Sequence, residues 1–339
     1  MESMSKKINF KNKKILITGG AGFIGSNLAF YIQNNFPDAS IVIFDKFNSG
    51  ERFDNGNLKY LGNFKNLIGF NGRIVAGDIS SKKDLDTLNE YKFDFIFHQA
   101  AFSDTRVYDQ NEIFRVNINS FYPLLNLAKE NGSTLVYASS ASTYGQLPGP
   151  NQIGKESPEN PYGYSKFSMD KIAKIFCLEN PNINVVGLRF FNVYGNREFF
   201  KGKTASMIIQ LGHQILSNQS VKLFEDSDNI YRDFVHIDDV VQANINAALS
   251  NISGVFNVGS GYARSFVEVT NVLSDLLGIK CSIDFMKNPY LDYQKYTLAD
   301  LSLSKQKINY RPKYKLEDGI DKYLPEIVDT YEKYVRKIN

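Results

Sequence analysis

The chain has 339 residues, 43% hydrophobic and 22% charged, an ordinary globular composition that excludes a disordered tail and allows one large domain or one domain plus a lobe. Lysine and arginine number 39 against 36 acids, a net +3 without a long basic run, so bulk charge gives no reason to expect a nucleic-acid partner. Two unclustered cysteines, Cys177 and Cys281, exclude a disulfide scaffold, and no run of about 18 or more apolar residues predicts a membrane span, so the expected location is the cytoplasm.

In chain order, Lys14–Ile17 reads as a buried strand and Gly25–Asn35 as the helix after it. Ile41–Phe44, Arg73–Ala76, Phe93–Phe97, Thr134–Ala138 and Val185–Arg189 read as further short apolar strands. Helical patterns fall between most of them, notably Asn117–Asn131 and Tyr162–Glu179. Strands alternating with helices predict an α/β fold, a Rossmann-like doubly wound parallel sheet, and the continuous apolar runs fit strands covered on both faces. After Phe191 the pattern turns irregular, with helices at Asp238–Leu249 and Phe266–Leu277. The expected division is a nucleotide-binding domain of residues 11–190 with returning segments at about 213–262, and a smaller C-terminal substrate-binding lobe of about 191–212 and 263–339.

The first strand runs into Thr18-Gly-Gly-Ala-Gly-Phe-Ile-Gly25, where Gly20, Gly22 and Gly25 satisfy G-x-G-x-x-G and Gly19, Gly22 and Gly25 satisfy the related G-x-x-G-x-x-G. Glycines here let backbone N–H groups approach a pyrophosphate at the N-terminus of the next helix. Asp45 closes the second strand 20 residues beyond Gly25, where a carboxylate meets the adenosine ribose. That acid favours NAD; Lys46 and Arg52, just beyond it, are cations that could pair with the 2′-phosphate of NADP. NADP is the expected cofactor, with NAD the alternative.

Tyr162 is the one tyrosine with a lysine, Lys166, four residues on. On a helix the two share a face, and the ammonium is expected to lower the phenol pKa toward a range useful for proton exchange. The fifth strand ends in Ala138-Ser-Ser-Ala-Ser-Thr-Tyr-Gly145, a hydroxyl cluster at the carboxyl edge of the sheet, where ligands of such sheets bind. His98, His213 and His236 lie far apart, and no metal-ligand spacing occurs.

Taken together, the glycine loop, Asp78-Ile79, His98-Gln-Ala-Ala101, the serine cluster, Tyr162-x-x-x-Lys166 and Arg189-Phe-Phe-Asn-Val-Tyr-Gly195 resemble the extended short-chain dehydrogenase/reductases, the nucleotide-sugar epimerase and dehydratase group, over roughly residues 14–323. The resemblance implies Tyr162 as acid/base, Lys166 on the nicotinamide ribose, Ser140 on the reacting oxygen, and Asp78 and Ile79 flanking the adenine. It extends the cofactor set from Gly19, Gly22, Gly25, Asp45, Lys46 and Arg52 to Phe23, Ile24, Gln99, Ala100, Ala101, Ser103, Asn117 and Val193. Dehydratases of the group carry Asp-Glu after the residue matching Ser140; here Ala141 and Ser142 stand there.

Asn192-Val-Tyr-Gly-Asn-Arg-Glu-Phe-Phe-Lys201-Gly-Lys-Thr-Ala-Ser206, Phe224-Glu-Asp-Ser227, Tyr231-Arg-Asp-Phe-Val-His236 and Asp292-Tyr-Gln-Lys-Tyr-Thr297 resemble the ADP-glycero-manno-heptose 6-epimerase family. That family has a second acid/base lysine at the position of Lys201, with Lys203 the competing candidate. Asn192, Lys203, Ser206, Phe224, Ser227, Arg232 and Tyr293 are then expected to touch the nucleotide-sugar, an ADP-heptose or similar, with Arg232 on the diphosphate. The family also implies a homo-oligomer, a pentamer. The departures are Asn196 where the family often has Pro, Lys203 where some members have Ser, and a longer stretch between Asp45 and Asp78. The expected reaction is inversion at C6″ through a transient ketone, for heptose destined for lipopolysaccharide core. Other readings are a UDP- or GDP-sugar 4-epimerase, a net oxidoreductase, or a non-catalytic protein on the same fold.

Overall fold

The computed structural model describes residues 9–218, 220–288 and 294–336. The apolar runs fold into β1 (Lys14–Thr18), β2 (Ser40–Asp45), β3 (Arg73–Ala76), β4 (Phe95–His98), β5 (Thr134–Ser140) and β6 (Val185–Phe190). Between them lie α1 (Phe23–Asn35), α2 (Lys82–Asp86), α3 (Gln110–Phe114), α4 (Phe121–Asn131) and α5 (Pro161–Glu179). Local chemistry sets several ends. The Asn160 side chain caps α5 by accepting from Gly163 N at 2.8 Å, with Pro161 beside it at the first helical position. Gly132 ends α4 in the left-handed region.

After β6 the chain makes β7 (Asn192–Tyr194), α6 (Met207–Asn218), β8 (Ser220–Phe224), β9 (Tyr231–His236), α7 (Ile237–Leu249) and β10 (Gly254–Val258). It closes with β11 (Ala263–Ser265), α8 (Phe266–Leu277), β12 (Ser282–Met286), α9 (Ser302–Lys307) and α10 (Leu316–Thr330). Seven of the described strands form one parallel sheet in the order β10-β6-β5-β4-β1-β2-β3. Strand order reverses between β1 and β4, and the crevice outside their carboxyl ends is the binding position of doubly wound sheets.

Ile15, Ile17, Ile43, Phe97 and Val136 pack one sheet face against α1 and α7; Leu16, Phe44, Ile96, Leu135 and Tyr137 pack the other against α4 and α5. A third core, around Ile208, Ile215, Leu223, Phe266, Leu273, Ile320 and Ile327, belongs to the lobe. Residues 213–224 were expected with the sheet, but Ile215, Val221 and Leu223 pack in this lobe core, whereas α7 and β10 do return to the sheet. The amphipathic face of α6 finds α8 and α10, partners no local pattern could name. No described helix is long and apolar enough to cross a membrane, and the described residues contain no cluster of three or more metal-ligating side chains.

Candidate active site

The turn from β1 into α1 is shaped by close backbone approach. Gly19 sits at φ +68°, and a Cβ there would lie 2.6 Å from Ala100 N; a Cβ on Gly25 would lie 2.3 Å from Gly19 O. The loop thereby holds the α1 N-terminus open at the crevice, a cradle whose N–H groups suit a pyrophosphate. A cavity of about 490 Å³ begins there. Gly19, Gly22, Phe23, Ile24, Gly25, Asp45, Lys46, Asp78, Ile79, Gln99, Ala100, Ala101, Ser103, Lys166 and Val193 all line it, a donor set that fits a dinucleotide.

Its adenosine end differs from expectation. Asp45 is buried and faces the glycine loop, its carboxylate accepting from Ala21 N and Phe47 N, each at 2.9 Å. Burial pushes its pKa up against those bonds. Lys46 pairs with Asp78 at 2.8 Å and stands 3.9 Å over the Tyr60 ring. Burial opposes the Lys46 charge, but the bonds to Asp78 and Tyr60 outweigh it and raise the pKa. Arg52 is not brought to the cavity. It is exposed, and its guanidinium donates to Gly56 O at 2.8 Å within its own turn. Asn117 is not on the cavity wall either: its side-chain amide donates to Phe102 O and Ser165 Oγ and accepts from Phe102 N, tying the loop after β4 to α5. Sequence reading missed Lys59 and Tyr60, which line this end from the long stretch after β2.

At the other end, Ser140, Tyr162 and Lys166 line the same cavity. Ser140 is the last residue of β5; Tyr162 and Lys166 share a face of α5. The lowering of the Tyr162 phenol by Lys166 is not realised: burial holds the phenol above its usual range, and the Ser140 hydrogen bond pulls it back. The Lys166 ammonium lies 5.9 Å from the Tyr162 ring centroid. Burial lowers Lys166 to about 8, with Asp170 opposing. His98, at the end of β4, accepts from or donates to Thr18 Oγ1 at 2.7 Å and is lowered to about 3, by burial and then by Lys166, so it stands neutral.

A buried ionic cluster lies beneath this trio. Asp170 on α5 accepts from Tyr137 Oη at 2.9 Å, Ser139 Oγ at 3.1 Å and Arg189 Nε at 2.9 Å. Arg189 on β6 also donates to Glu156 at 2.6 Å. The cluster locks the end of β5, next to Ser140, against α5.

From the lobe, Asn192, Lys201, Ser206 and Arg232 line the cavity. Lys201 stands 5.3 Å from the Phe23 ring centroid, and burial lowers its pKa while Glu198 opposes. Glu198 is fully buried and accepts from Gly195 N, Ser206 N and Ser206 Oγ, closing the loop that carries Lys201. Lys203 is exposed and does not line the cavity, so the structure separates the two competing lysines. The Arg232 guanidinium donates to Tyr231 O at 2.9 Å and to Gln294 O. Phe224 and Ser227 are not brought to the wall; the Ser227 hydroxyl turns back to Phe224 O at 2.5 Å. Tyr293 lies outside the described residues. A second hollow of about 570 Å³ shares Ser140, Asn192 and Arg232 with the first and adds Glu159, Gln294 and Thr297, none foreseen.

Compared with known proteins, the chain matches the model of the NAD dependent epimerase/dehydratase family over residues 15–259. It is 38% identical over 324 residues to an ADP-L-glycero-D-manno-heptose-6-epimerase of Brachyspira hyodysenteriae, covering 91% of this chain and 96% of that one. Among solved structures, it is 45% identical to an ADP-L-glycero-D-manno-heptose-6-epimerase of Helicobacter pylori, covering 97% of this chain and 99% of that one with a TM-score of 0.86. A UDP-glucuronic acid 4-epimerase of Bacillus cereus, solved with UDP-glucuronic acid and NAD, is 26% identical over 94% of this chain and 100% of that one, with a TM-score of 0.80.

Proposed function

Since this chain belongs to the NAD dependent epimerase/dehydratase family, we propose that it epimerises ADP-D-glycero-D-manno-heptose to the L-glycero form at C6″. The observation that carries this reading is the meeting of Tyr162, from the sheet domain, and Lys201, from the lobe, on the wall of one cavity that also holds the glycine loop. The relatives at 38% and 45% identity carry the ADP-heptose name and support the substrate.

Inverting an unactivated carbon requires a flat intermediate that presents each face in turn. A nicotinamide cofactor held by Gly19, Gly22, Gly25 and Lys166 would supply that chemistry, hydride removal from C6″ and hydride return to the opposite face. Tyr162 exchanges a proton with the C6″ oxygen in one orientation of the sugar, with Ser140 holding that oxygen. Lys201 does the same in the other orientation, its burial-lowered pKa suiting it to release and regain a proton. Lys166 binds the nicotinamide ribose, and Arg232 pairs with the substrate diphosphate at the junction of the two hollows. C6″ lies outside the pyranose ring, so it can rotate locally between the two bases.

The heavy-water test separates this route from others. With ADP-D-glycero-D-manno-heptose in heavy water, product NMR is expected to show a mixture of C6″ epimers, no deuterium at C6″ and no net reduced cofactor. Deuterium at C6″ means deprotonation instead, and inversion at C4″ of a UDP-sugar with C6″ untouched means a 4-epimerase.

For the cofactor we infer NADP. Lys46 and Lys59 both line the adenosine end, while the Asp45 carboxylate is engaged by backbone N–H groups. Lys46→Ala is expected to weaken NADP binding about tenfold or more while leaving NAD little changed, the scale of one charge-assisted hydrogen bond. Nucleotide released from purified protein and identified by mass, with titration of both cofactors, checks it. Recovery of NAD alone, with no tighter binding of NADP, sinks the choice. A homo-oligomer, a pentamer by family resemblance, belongs to the same reading and is measured by native mass.

A further inference from the structure

The loop that carries Lys201 is held from behind by the end of the lobe. Glu326 of α10 accepts from Asn196 Nδ2 at 2.9 Å and Arg197 N at 2.6 Å, the latter residue at φ +72°. Beyond α10, the turn Tyr331–Val335 presents Tyr334. Its ring stacks on Phe199 at 5.1 Å and 23°, and meets Phe200 edge-on at 5.9 Å. Lys65 donates to the Tyr334 hydroxyl at 3.1 Å, and its ammonium lies 4.5 Å from the ring centroid. Lys65 in turn sits between Asn63, whose N–H reaches Ala21 O at 3.0 Å, and Asn66, whose side chain reaches the same carbonyl at 3.1 Å. Ala21 belongs to the glycine loop. One aromatic ring therefore joins the cofactor cradle to the two residues that directly precede Lys201.

The bonds within the loop do not do this. Lys201 N donates to Glu198 O at 3.0 Å, and the Thr204 hydroxyl donates to Lys201 O at 2.8 Å. These fix the shape of the turn, not its distance from the cradle. On the far side of Lys201, Gly202 adopts φ +58° with no described atom near where a Cβ would stand, and its carbonyl accepts only locally, from Ala205 N at 3.0 Å.

We propose that Tyr334 is a positioning residue that holds Lys201 at the cavity wall, by clamping Phe199 and Phe200 to Lys65 beside the glycine loop. The catalytic consequence rests on the role given to Lys201 above; the positioning itself is testable on the protein alone.

The test is pulse acylation of the intact protein across a pH series, with labelling of Lys201 read by mass spectrometry. In the wild type the labelling midpoint should fall below the ordinary lysine value of about 10.4, since Lys201 is half-buried at the cavity wall with its ammonium beside the Phe23 ring. Tyr334→Ala should release the loop, expose Lys201 and raise the midpoint toward that value. Tyr334→Phe keeps the stacked ring and should keep the low midpoint, a rescue that loss of general stability does not predict. Turnover should follow, with kcat down about tenfold in Tyr334→Ala and KM little changed, the scale of a small misplacement of a reacting group. An unchanged midpoint in folded Tyr334→Ala overturns the proposal, as does a wild-type midpoint at the ordinary value. Should Tyr334→Ala fail to fold, Lys65→Met decides: it must raise the midpoint, and a midpoint unmoved overturns the proposal. A shifted midpoint in protein that does not epimerise ADP-heptose leaves the clamp standing and removes the proposed activity.

Discussion

Tyr162→Phe and Lys201→Met are each expected to cut epimerisation on the order of 10²-fold or more while leaving cofactor bound, the usual scale for losing a proton-transferring group. Both residues line one cavity from opposite units of the fold, Tyr162 on α5 and Lys201 on the loop after β7. Both are assigned to proton transfer rather than to holding the cofactor, so removing either proton carrier should spare cofactor binding. Lys166→Met should differ by weakening cofactor binding as well, because its buried ammonium is assigned to the ribose. Lys203→Met should be close to wild type, since Lys203 is exposed and off the cavity wall. Initial rates by product analysis and cofactor content by mass decide among these. A dead Lys203→Met beside an active Lys201→Met would mean that the wrong lysine has been chosen.

Arg189→Met is expected to cost on the order of 3–5 kcal/mol of folding stability, because it strands the buried acid Asp170 rather than simply deleting a contact. Burial pushes the Asp170 carboxyl up, and the Arg189 guanidinium is the main influence opposing it; Tyr137 and Ser139 supply only neutral donors. Glu156 loses its guanidinium partner in the same step. Denaturant unfolding measures the loss, and a change below about 1 kcal/mol would refute the account. Replacing Arg189 and Asp170 together by apolar residues should cost less than Arg189→Met alone, since no unpaired Asp170 remains. The effect should also reach the chemistry. Asp170 bonds Ser139, so its disturbance loosens the strand end that presents Ser140 to Tyr162.

What could be read in the sequence was what depends on near neighbours along the chain. Short apolar runs became the sheet strands, the glycine loop became the cradle, and Tyr162 and Lys166 share a helix face because four residues make about one turn. Side-chain direction in loops was not readable. Lys46 and Arg52 looked equivalent beside Asp45, but Lys46 found Asp78 and Tyr60 while Arg52 closed its own turn on Gly56. Asp45 was expected at the ribose and does line the cavity, but spacing could not show that its carboxylate also accepts from the backbone N–H groups of Ala21 and Phe47. Phe224 and Ser227 shared the family motif without reaching the wall, for their turn lies at the end of β8, on the lobe's own small sheet with β12. The pKa direction at Tyr162 failed for a similar reason. Spacing places Lys166 near it but says nothing of how deeply the phenol is enclosed.

The return of α7 and β10 to the large sheet has a consequence for synthesis. A ribosome that has released residues 9–190 has made six strands of that sheet, but β6 still lacks β10 and the apolar face of α1 still lacks α7. Both arrive only after part of the lobe, α6 to β9, has emerged between them. The nascent half-sheet therefore carries an open strand edge and a bare apolar face for the time it takes to translate about 70 more residues, some seconds at cellular rates. The two units are threaded through one another, and neither can be finished before the other has begun.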